Sequence, residues 1–449
     1  MSTTARCAIY RRMSQPFYIE WGAIARLALV QAAIAAVTVI PISTIPRLMV
    51  EEIGLMALLP AGLIGVHYTV QTSRARFGHG SDRSRRRTPW ILGGVVLLAV
   101  SGVGCALATR LMVASPVMGY MAALLAYAGV GVGIGAAGTT LFALVSTTVA
   151  PQRRAPAATT IFLTMILGLV LTSKLAGSAL IPFSYATLVG VSLTVSLAAL
   201  AVTGLALLGL EAGHAPSPAA ADTAAPARFR EAFAEVWRDG RVRGFTAFIF
   251  LSMFAYNMQE LVMEPFSGAV FGLEPGASTR LSGDHHAGVF AGLIVVAVLG
   301  RLAKGRPTAL VAATVFGCLA SAAALAGLAA ASVAAPDWPL RPTILLYGLA
   351  NGVFAGGAIA AMFSLAADGE GGREGTRIGI WGTAQALGFG LGMVAGAGLL
   401  DLTRTLAADH LAFASVFLAE GTLFALASFV AIRVLPVAPK TLEIRTVRG

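Results

Sequence analysis

The sequence predicts an all-α integral membrane protein with twelve transmembrane helices in two six-helix bundles. Three observations lead there. First, 57% of the 449 residues are hydrophobic and only 12% are charged, against about 25% charged in a soluble domain. A water-soluble globule must cover itself with polar groups, so lipid is the solvent for most of this chain. A conventional soluble enzyme and a disordered tail are both excluded. Second, the apolar residues fall in twelve runs, each near or above the ~20 residues that cross a bilayer as a helix. Third, the basic residues sort to one side of those runs, as a multi-pass topology requires.

The runs are residues 24–45, 55–71, 90–109, 117–149, 158–181 and 186–210, then, after a polar stretch, 244–273, 283–300, 308–333, 343–367, 378–400 and 411–435. None shows the alternation of a barrel wall, and helices are the other way to satisfy backbone hydrogen bonds in lipid. The fourth and seventh are long enough to require a tilt or a break. Pro265 is expected to bend the seventh. The first run follows 23 polar or mixed residues that include Arg11 and Arg12. It lacks the short apolar core and small-residue cleavage site of a signal peptide, so it is expected to remain as an anchor.

With the amino terminus in the cytoplasm, 26 of the 32 lysines and arginines fall inside, and five (Arg47, Arg110, Arg280, Arg341, Arg404) fall outside. Lys174 lies within a span, where snorkelling to the headgroups is the expected reading. Both termini are then cytoplasmic. The net charge of +11 reads as an orientation signal with a secondary attraction to anionic lipid, not as nucleic-acid binding. Cys7, Cys105 and Cys318 are too few and too scattered for a disulfide framework or a zinc site.

Five segments follow: a cytoplasmic amino-terminal stretch (1–23), a first bundle (24–210), a cytoplasmic linker (211–243), a second bundle (244–435) and a cytoplasmic tail (436–449). The linker opens Ala/Pro-rich. It then places Phe229, Phe233, Val236 and Trp237 near one face of a short amphipathic helix expected to lie on the membrane surface.

Six spans plus six, with both ends inside, is the layout of the major facilitator superfamily. The loop RFGHGSDRSRRRTPW carries Gly78, Asp82, Arg83, Arg86 and Arg87, which resemble the superfamily's G-x-x-x-D-R-x-x-R-[KR] signature. Arg85 stands where a glycine is usual. The corresponding loop of the second half, GRLAKGRP, has no acid. The resemblance implies paired bundles with a cavity between them near the midplane. It also implies that Asp82 pairs with an arginine or helix end in one conformation and releases it in another.

A narrower resemblance lies in NMQELVMEPFSGAVFGLEPGASTRLSG, taken with RRRTPWILGG. These stretches resemble the PucC family, also called the bacteriochlorophyll delivery family, and the resemblance runs from the first span to the last. It implies a membrane assembly factor for light-harvesting complexes of phototrophic bacteria. Bacteriochlorophyll would be its cargo, antenna polypeptides its partners, and the bacterial inner or intracytoplasmic photosynthetic membrane its location. Serine, histidine and acid residues form no recognisable catalytic constellation, and P-loop and HExxH motifs are missing, so no catalytic residue, no metal site and no resident cofactor are expected, with bacteriochlorophyll as cargo. A proton-coupled transporter of a small solute is the alternative, and an enzyme acting on pigment precursors a third reading.

Charges inside a span cost a few kcal/mol on insertion scales and usually face a cavity or a partner. Glu260 and Glu264 are therefore candidates. Their spacing places them on one helix face with Asn257, and Gln259 adjoins them. Either they contact cargo, pigment or a partner helix, or they carry a proton, or they clamp the two bundles together. Glu420, near the middle of the last span with no adjacent cation, has the same alternatives. His67 offers a neutral imidazole that could ligate the magnesium of a bacteriochlorin, and the plainer reading is a hydrogen-bonded core histidine. His285 and His286 are placed near an outer loop, and successive helical positions make them a poor joint metal site. Gly133, Gly135 and Gly138 spell G-x-G-x-x-G inside an apolar span, without the strand and acid a dinucleotide site needs. Close packing of helices through Gly131 and Gly135, and through Gly388, Gly392 and Gly396, is the better reading.

Overall fold

The computed structural model describes residues 20–71, 77, 84, 86–149, 151–211, 237–303, 306–367 and 374–435. Twelve helical rods run through them. The first half holds α1 (Trp21–Glu52), α2 (Leu58–Gln71), α3 (Thr88–Ala114), α4 (Pro116–Thr148), α5 (Pro151–Ala179) and α6 (Tyr185–Leu207). The second holds α7 (Gly240–Phe271), α8 (Pro275–Leu302), α9 (Pro307–Ala334), α10 (Leu340–Ala367), α11 (Glu374–Arg404) and α12 (Asp409–Val434). Among the described residues, 11 are long and apolar enough to cross a membrane. The described part of α2 has 14 residues. Bulky apolar side chains stay exposed along the rods, Leu125 at 78% and Leu175 at 71%, which suits contact with lipid and not with water.

The two halves repeat each other. In the first, α1 packs on α5 and α6, α3 on α4 and α6, and α2 on α4. In the second, α7 packs on α11 and α12, α9 on α10 and α12, and α8 on α10. Each contact maps onto its counterpart six helices later. The two seams between the halves obey the same rule, α5 against α8 and α11 against α2. Six-helix bundles related in this way are the expected twin-sextet architecture.

Glycines set the spacing within each half. A Cβ on Gly94 of α3 would lie 2.7 Å from the Ala137 nitrogen on α4, and one on Gly131 would lie 2.5 Å from the His67 carbonyl oxygen on α2. On α11, Gly388, Gly392 and Gly396 face the carbonyls of Phe250, Phe254 and Met258 on α7, one turn apart. The expected ridge is therefore a backbone-to-backbone contact. The second half adds an aromatic core of Phe245, Phe248, Phe354, Phe413, Phe417, Phe424 and Trp381, all fully buried.

Four expectations need correcting. The first span does not end at residue 45. It continues to Glu52 through two wide turns, Ile40–Thr44 and Leu48–Glu52, because the widened turn at Pro41 accommodates the missing N–H without stopping the helix. The seventh span breaks at Gln259–Val262, ahead of Pro265. Pro265 sits in the first turn of the second segment, Met263–Phe271, where its lack of an N–H costs nothing. That segment ends at Gly272, whose φ of +66° forms a left-handed cap with bonds back to Gly268 and Ser267. The eighth span starts at Pro275, so the polar run Ser278, Thr279, Ser282 and Asp284 is helical and buried. His285 and His286 accordingly lie within α8, not near a loop. The expected amphipathic linker helix lies almost wholly outside the described residues. Trp237 and Arg238 are helical just ahead of α7.

Candidate functional site

The start of α1 meets the end of α6 through Arg26 and the Ala206 carbonyl (2.8 Å). The start of α7 meets the end of α12 through Gly244 and Val434. These ends define a terminal face. On the opposite, far face the end of α1 meets the start of α12, where Arg404 binds both Glu51 and Asp409 (3.0 and 3.3 Å).

The described side-chain hydrogen bonds between the halves lie toward the far face. In one seam, Asp401 of α11 accepts from the backbone N–H groups of Ala57 and Leu58, each at 2.8 Å, and so caps the start of α2. In the other, Asp284 of α8 pairs with Lys174 of α5 and with Arg341 of α10 (2.9 Å). Between them, buried Arg47 donates to Glu52 (3.0 Å) and to the Leu273 carbonyl (2.5 Å), and Thr44 bonds Thr279 (2.8 Å). Each seam therefore closes on one carboxylate. Lys174 is an ion-pair partner and not a snorkelling side chain. Arg47, expected in an outer loop, is buried within α1.

The carboxyls of α7 stand just inside this closure. The turn at Gln259–Val262 separates Glu260 from Glu264, so they do not share one continuous helix face. Buried Gln259 closes the turn through its carbonyl, which accepts from Val262 (2.9 Å) and Met263 (3.0 Å). Buried Glu264 accepts from Ser282 (2.6 Å) and Thr279 (3.4 Å). Because Thr279 also bonds Thr44, Glu264 reaches the first half through one hydroxyl. Asn257 ties α7 to α11 through the Phe389 carbonyl (2.9 Å). Glu260 is half-buried, and its carboxylate has no hydrogen-bond or ion-pair partner among the described residues.

Glu420 of α12 is fully buried. One oxygen accepts from the Tyr347 hydroxyl (2.6 Å), and the other has no partner among the described residues. Tyr347 stacks on His285 with centroids 5.2 Å apart. His285 Nε2 lies 3.3 Å from Asn351, which accepts from Ser321 (2.8 Å). A buried polar chain thus crosses α12, α10, α8 and α9. Glu420 lies within electrostatic reach of Glu260, and the Tyr256 phenol within reach of both and of Tyr68. Tyr256 also packs beside Phe389, with centroids 6.0 Å apart. Tyr68 comes from α2, so both halves contribute to this group.

His67 is buried, and its Nε2 lies 2.7 Å from the Gln71 amide nitrogen. With Gly131 against its backbone, this geometry favours the hydrogen-bonded core reading. Of the signature loop, Gly78, Asp82 and Arg83 lie outside the described residues. Arg87 donates to the Ala143 carbonyl on α4. The N–H groups of Arg87 and Thr88 donate to Glu211 (2.9 and 3.0 Å), which caps α3. Arg86 is exposed.

Sequence reasoning missed Asp284, Asp401, Tyr347 and Glu211. Asp284 was within reach of the rule that singled out Glu260, since it falls inside the apolar run 283–300. The others owe their importance to partners far away in the chain. Among the described residues no group of three or more His, Cys, Asp or Glu could hold a metal ion.

Comparison with known proteins matches this geometry to a family. At 15% identity the D-xylose-proton symporter superposes with a TM-score of 0.72, covering 93% of this chain and 98% of its own. The nucleoside transporter NupG does so with 0.65 at 11% identity, covering 92% and 98%. At such identities these matches show the fold alone, that of the major facilitator superfamily. The chain is 41% identical over 414 residues to the bacteriochlorophyll synthase 44.5 kDa chain of Rhodobacter capsulatus, covering 92% of this chain and 95% of the relative. It is 26% identical over 389 residues to Protein PucC of the same organism, covering 82% and 81%. A family model described as PUCC protein matches residues 44–438. Nearly the whole twin bundle falls inside that match, and the chain belongs to the PUCC protein family.

Proposed function

We propose that this protein is a membrane assembly factor for bacterial light-harvesting complexes, one that handles bacteriochlorophyll, antenna polypeptides or both. The observation that carries the reading is the end-to-end 41% identity to a relative whose name ties it to bacteriochlorophyll. The architecture supports it, since a twin bundle with carboxyls inside the membrane can hold a largely apolar molecule by a few polar contacts. The positive-inside distribution supports a multi-pass placement in the bacterial inner or photosynthetic membrane with both termini cytoplasmic. The missing acid in GRLAKGRP leans away from an ordinary proton-coupled solute transporter, the reading that Glu260, Glu264 and Glu420 otherwise favour.

Deleting the gene in its host and recording whole-cell near-infrared absorption tests the assignment. Loss of antenna bands while bacteriochlorophyll remains extractable is the expected result. Unchanged antenna bands would remove the assembly role. The word synthase in the relative's name gives a second reading, a part in pigment synthesis. Accumulation of a pigment precursor in the same deletion strain would favour it.

A further inference from the structure

We propose that the far face carries a binding site for the phosphate of an anionic phospholipid, held by Arg280 and Arg341 where α8 and α10 meet α5. By sequence, Arg47, Arg110, Arg280, Arg341 and Arg404 belong to this face. Two of them are matched to acids: Arg47 to Glu52, and Arg404 to Glu51 and Asp409. Arg110 is exposed near the end of α3. Arg280 and Arg341 instead gather with Lys174 around one carboxylate.

That carboxylate, Asp284, is already shared. Lys174 of α5 donates to Oδ1, and Arg341 of α10 donates to Oδ2 through Nε (2.9 Å) and to Oδ1 through Nη2 (3.4 Å). Arg280 lies one turn before Asp284 on α8, within helical reach of it. It makes no ion pair or hydrogen bond among the described residues. A Cβ on Gly177 would lie 2.7 Å from the Arg280 Cγ, so the stem of Arg280 lies on α5 one turn from Lys174. Lys174, Arg280 and Arg341 thus meet a single acid and carry an excess of positive charge. The other seam has the opposite balance, with Arg404 facing Glu51 and Asp409 and Asp401 one turn away. The excess is therefore local.

A guanidinium has five N–H donors. Arg341 turns two of them toward Asp284, and its side chain is 75% exposed. Arg280 is exposed and spends none on the described chain. Such forks suit phosphate, whose oxygens take them two at a time. The surroundings say what the phosphate is attached to. Arg280 heads a stripe of α8 that runs into the membrane through Ala291 and Ile294, both exposed. One turn deeper than Arg341 on α10 is exposed Leu345, and one turn deeper than Lys174 on α5 is exposed Leu171. Cations at the ends of three helices, above apolar side chains that the chain leaves uncovered, match a charged headgroup with acyl chains beneath it. A free anion has no use for the apolar part. Because Lys174 belongs to the first half and the two arginines to the second, a phosphate here relieves the repulsion among cations drawn together at the seam. Bound lipid then favours the closed far face.

The test titrates the purified full-length protein in mild detergent with dioleoyl phosphatidylglycerol or dioleoyl phosphatidylcholine, which share their acyl chains. Lipid-bound states are counted by native mass spectrometry. The wild type is expected to prefer phosphatidylglycerol by roughly tenfold in Kd. Arg280→Gln, which loses no bond within the described chain, is expected to cut that preference roughly threefold or more. Adding Arg341→Gln is expected to abolish it. Arg110→Gln removes the same charge from the same face and is expected to leave the preference unchanged. Equal binding of the two lipids by the wild type, a preference that survives the double substitution, or an equal loss in Arg110→Gln would overturn the site. Inorganic phosphate that displaces phosphatidylglycerol at matching concentration would show a site for a free anion and overturn the lipid assignment.

Discussion

Removing the carboxylate of Asp401 should loosen the far face of the whole molecule. Its two oxygens accept from Ala57 and Leu58 at 2.8 Å each, across the seam between α11 and α2. Hydrogen bonds to a charged group contribute about 1.5–3 kcal/mol each. Leu58 is 44% exposed, so water can replace part of what the two N–H groups lose. A net cost of about 2 kcal/mol for Asp401→Ala follows, which is roughly a thirtyfold shift toward the parted state. The reporter belongs in the other seam, where local fraying of α2 is not felt. Ala176 of α5 is buried near Gly177, which packs on Gly276 at the start of α8. In an Ala176→Cys protein with Cys7 replaced by serine, labelling by a polar maleimide reads the parted population. Cys105 and Cys318 are buried and can stay. Asp401→Ala should raise the labelling rate by an order of magnitude or more. An unchanged rate would show that the halves do not part as rigid bodies about these two seams.

Other expectations follow from single contacts. Gly392→Ala pushes a Cβ into the Phe254 carbonyl, whereas Gly390 has nothing within 4 Å. Gly392→Ala should lower the midpoint of thermal unfolding in detergent, while Gly390→Ala should hold or raise it by removing about 0.5–1 kcal/mol of glycine penalty. Equal effects at the two positions would refute backbone contact as the role of the ridge. Tyr347→Phe strands the buried Glu420 carboxyl at a cost of about 1–3 kcal/mol, and adding Glu420→Gln should recover part of it. Strict additivity in that double-mutant cycle would deny the coupling. Asp284→Ala leaves Lys174 and Arg341 without their shared acid, so it should destabilise more than Lys174→Met, which leaves the Asp284–Arg341 pair intact. The reverse order would contradict the pairing. Glu260→Gln in the host should lower antenna absorption without abolishing pigment synthesis, and normal antenna spectra would remove Glu260 from the account.

The number of rods and the division into halves were legible because both depend on properties summed over about 20 residues, which one misplaced charge does not alter. Boundaries depend on single residues and were less legible. Arg47 looked like the start of a loop because an arginine in lipid is costly. It is tolerated because Glu52 and the Leu273 carbonyl meet it, 5 and 226 residues away in the chain. Pro265 looked like the break in α7. Proline in a first turn costs no hydrogen bond, however, and the chain breaks a turn earlier. Ser278, Thr279 and Ser282 looked too polar for a span because their partners Ser267, Thr44 and Glu264 lie on other helices. Glu260, Glu264 and Glu420 were legible as candidates because an isolated acid in an apolar run is visible in one dimension. Which of them is satisfied within the chain was not.

The repeated architecture sharpens the meaning of the polar residues. Helices six apart make the same contacts, so the two halves began from the same mechanical plan. Their interiors nevertheless differ. The first half packs through Gly94, Gly131 and Gly133, with His67 hydrogen-bonded to Gln71 through Nε2. The second carries three glutamates, His285, His286, Asn351 and Tyr347 inside the membrane, and among the described residues all of these but Glu260 make side-chain hydrogen bonds. Packing alone does not require buried carboxyls, because among the described residues the first half buries none. Partner-satisfied polar groups in membranes contribute only about 0.6 kcal/mol each on average, too little to explain retaining so many for stability. The second half is therefore where selection for something other than folding has acted. The carboxyl within it that has no partner in the described chain is the position at which that selection should be sought first.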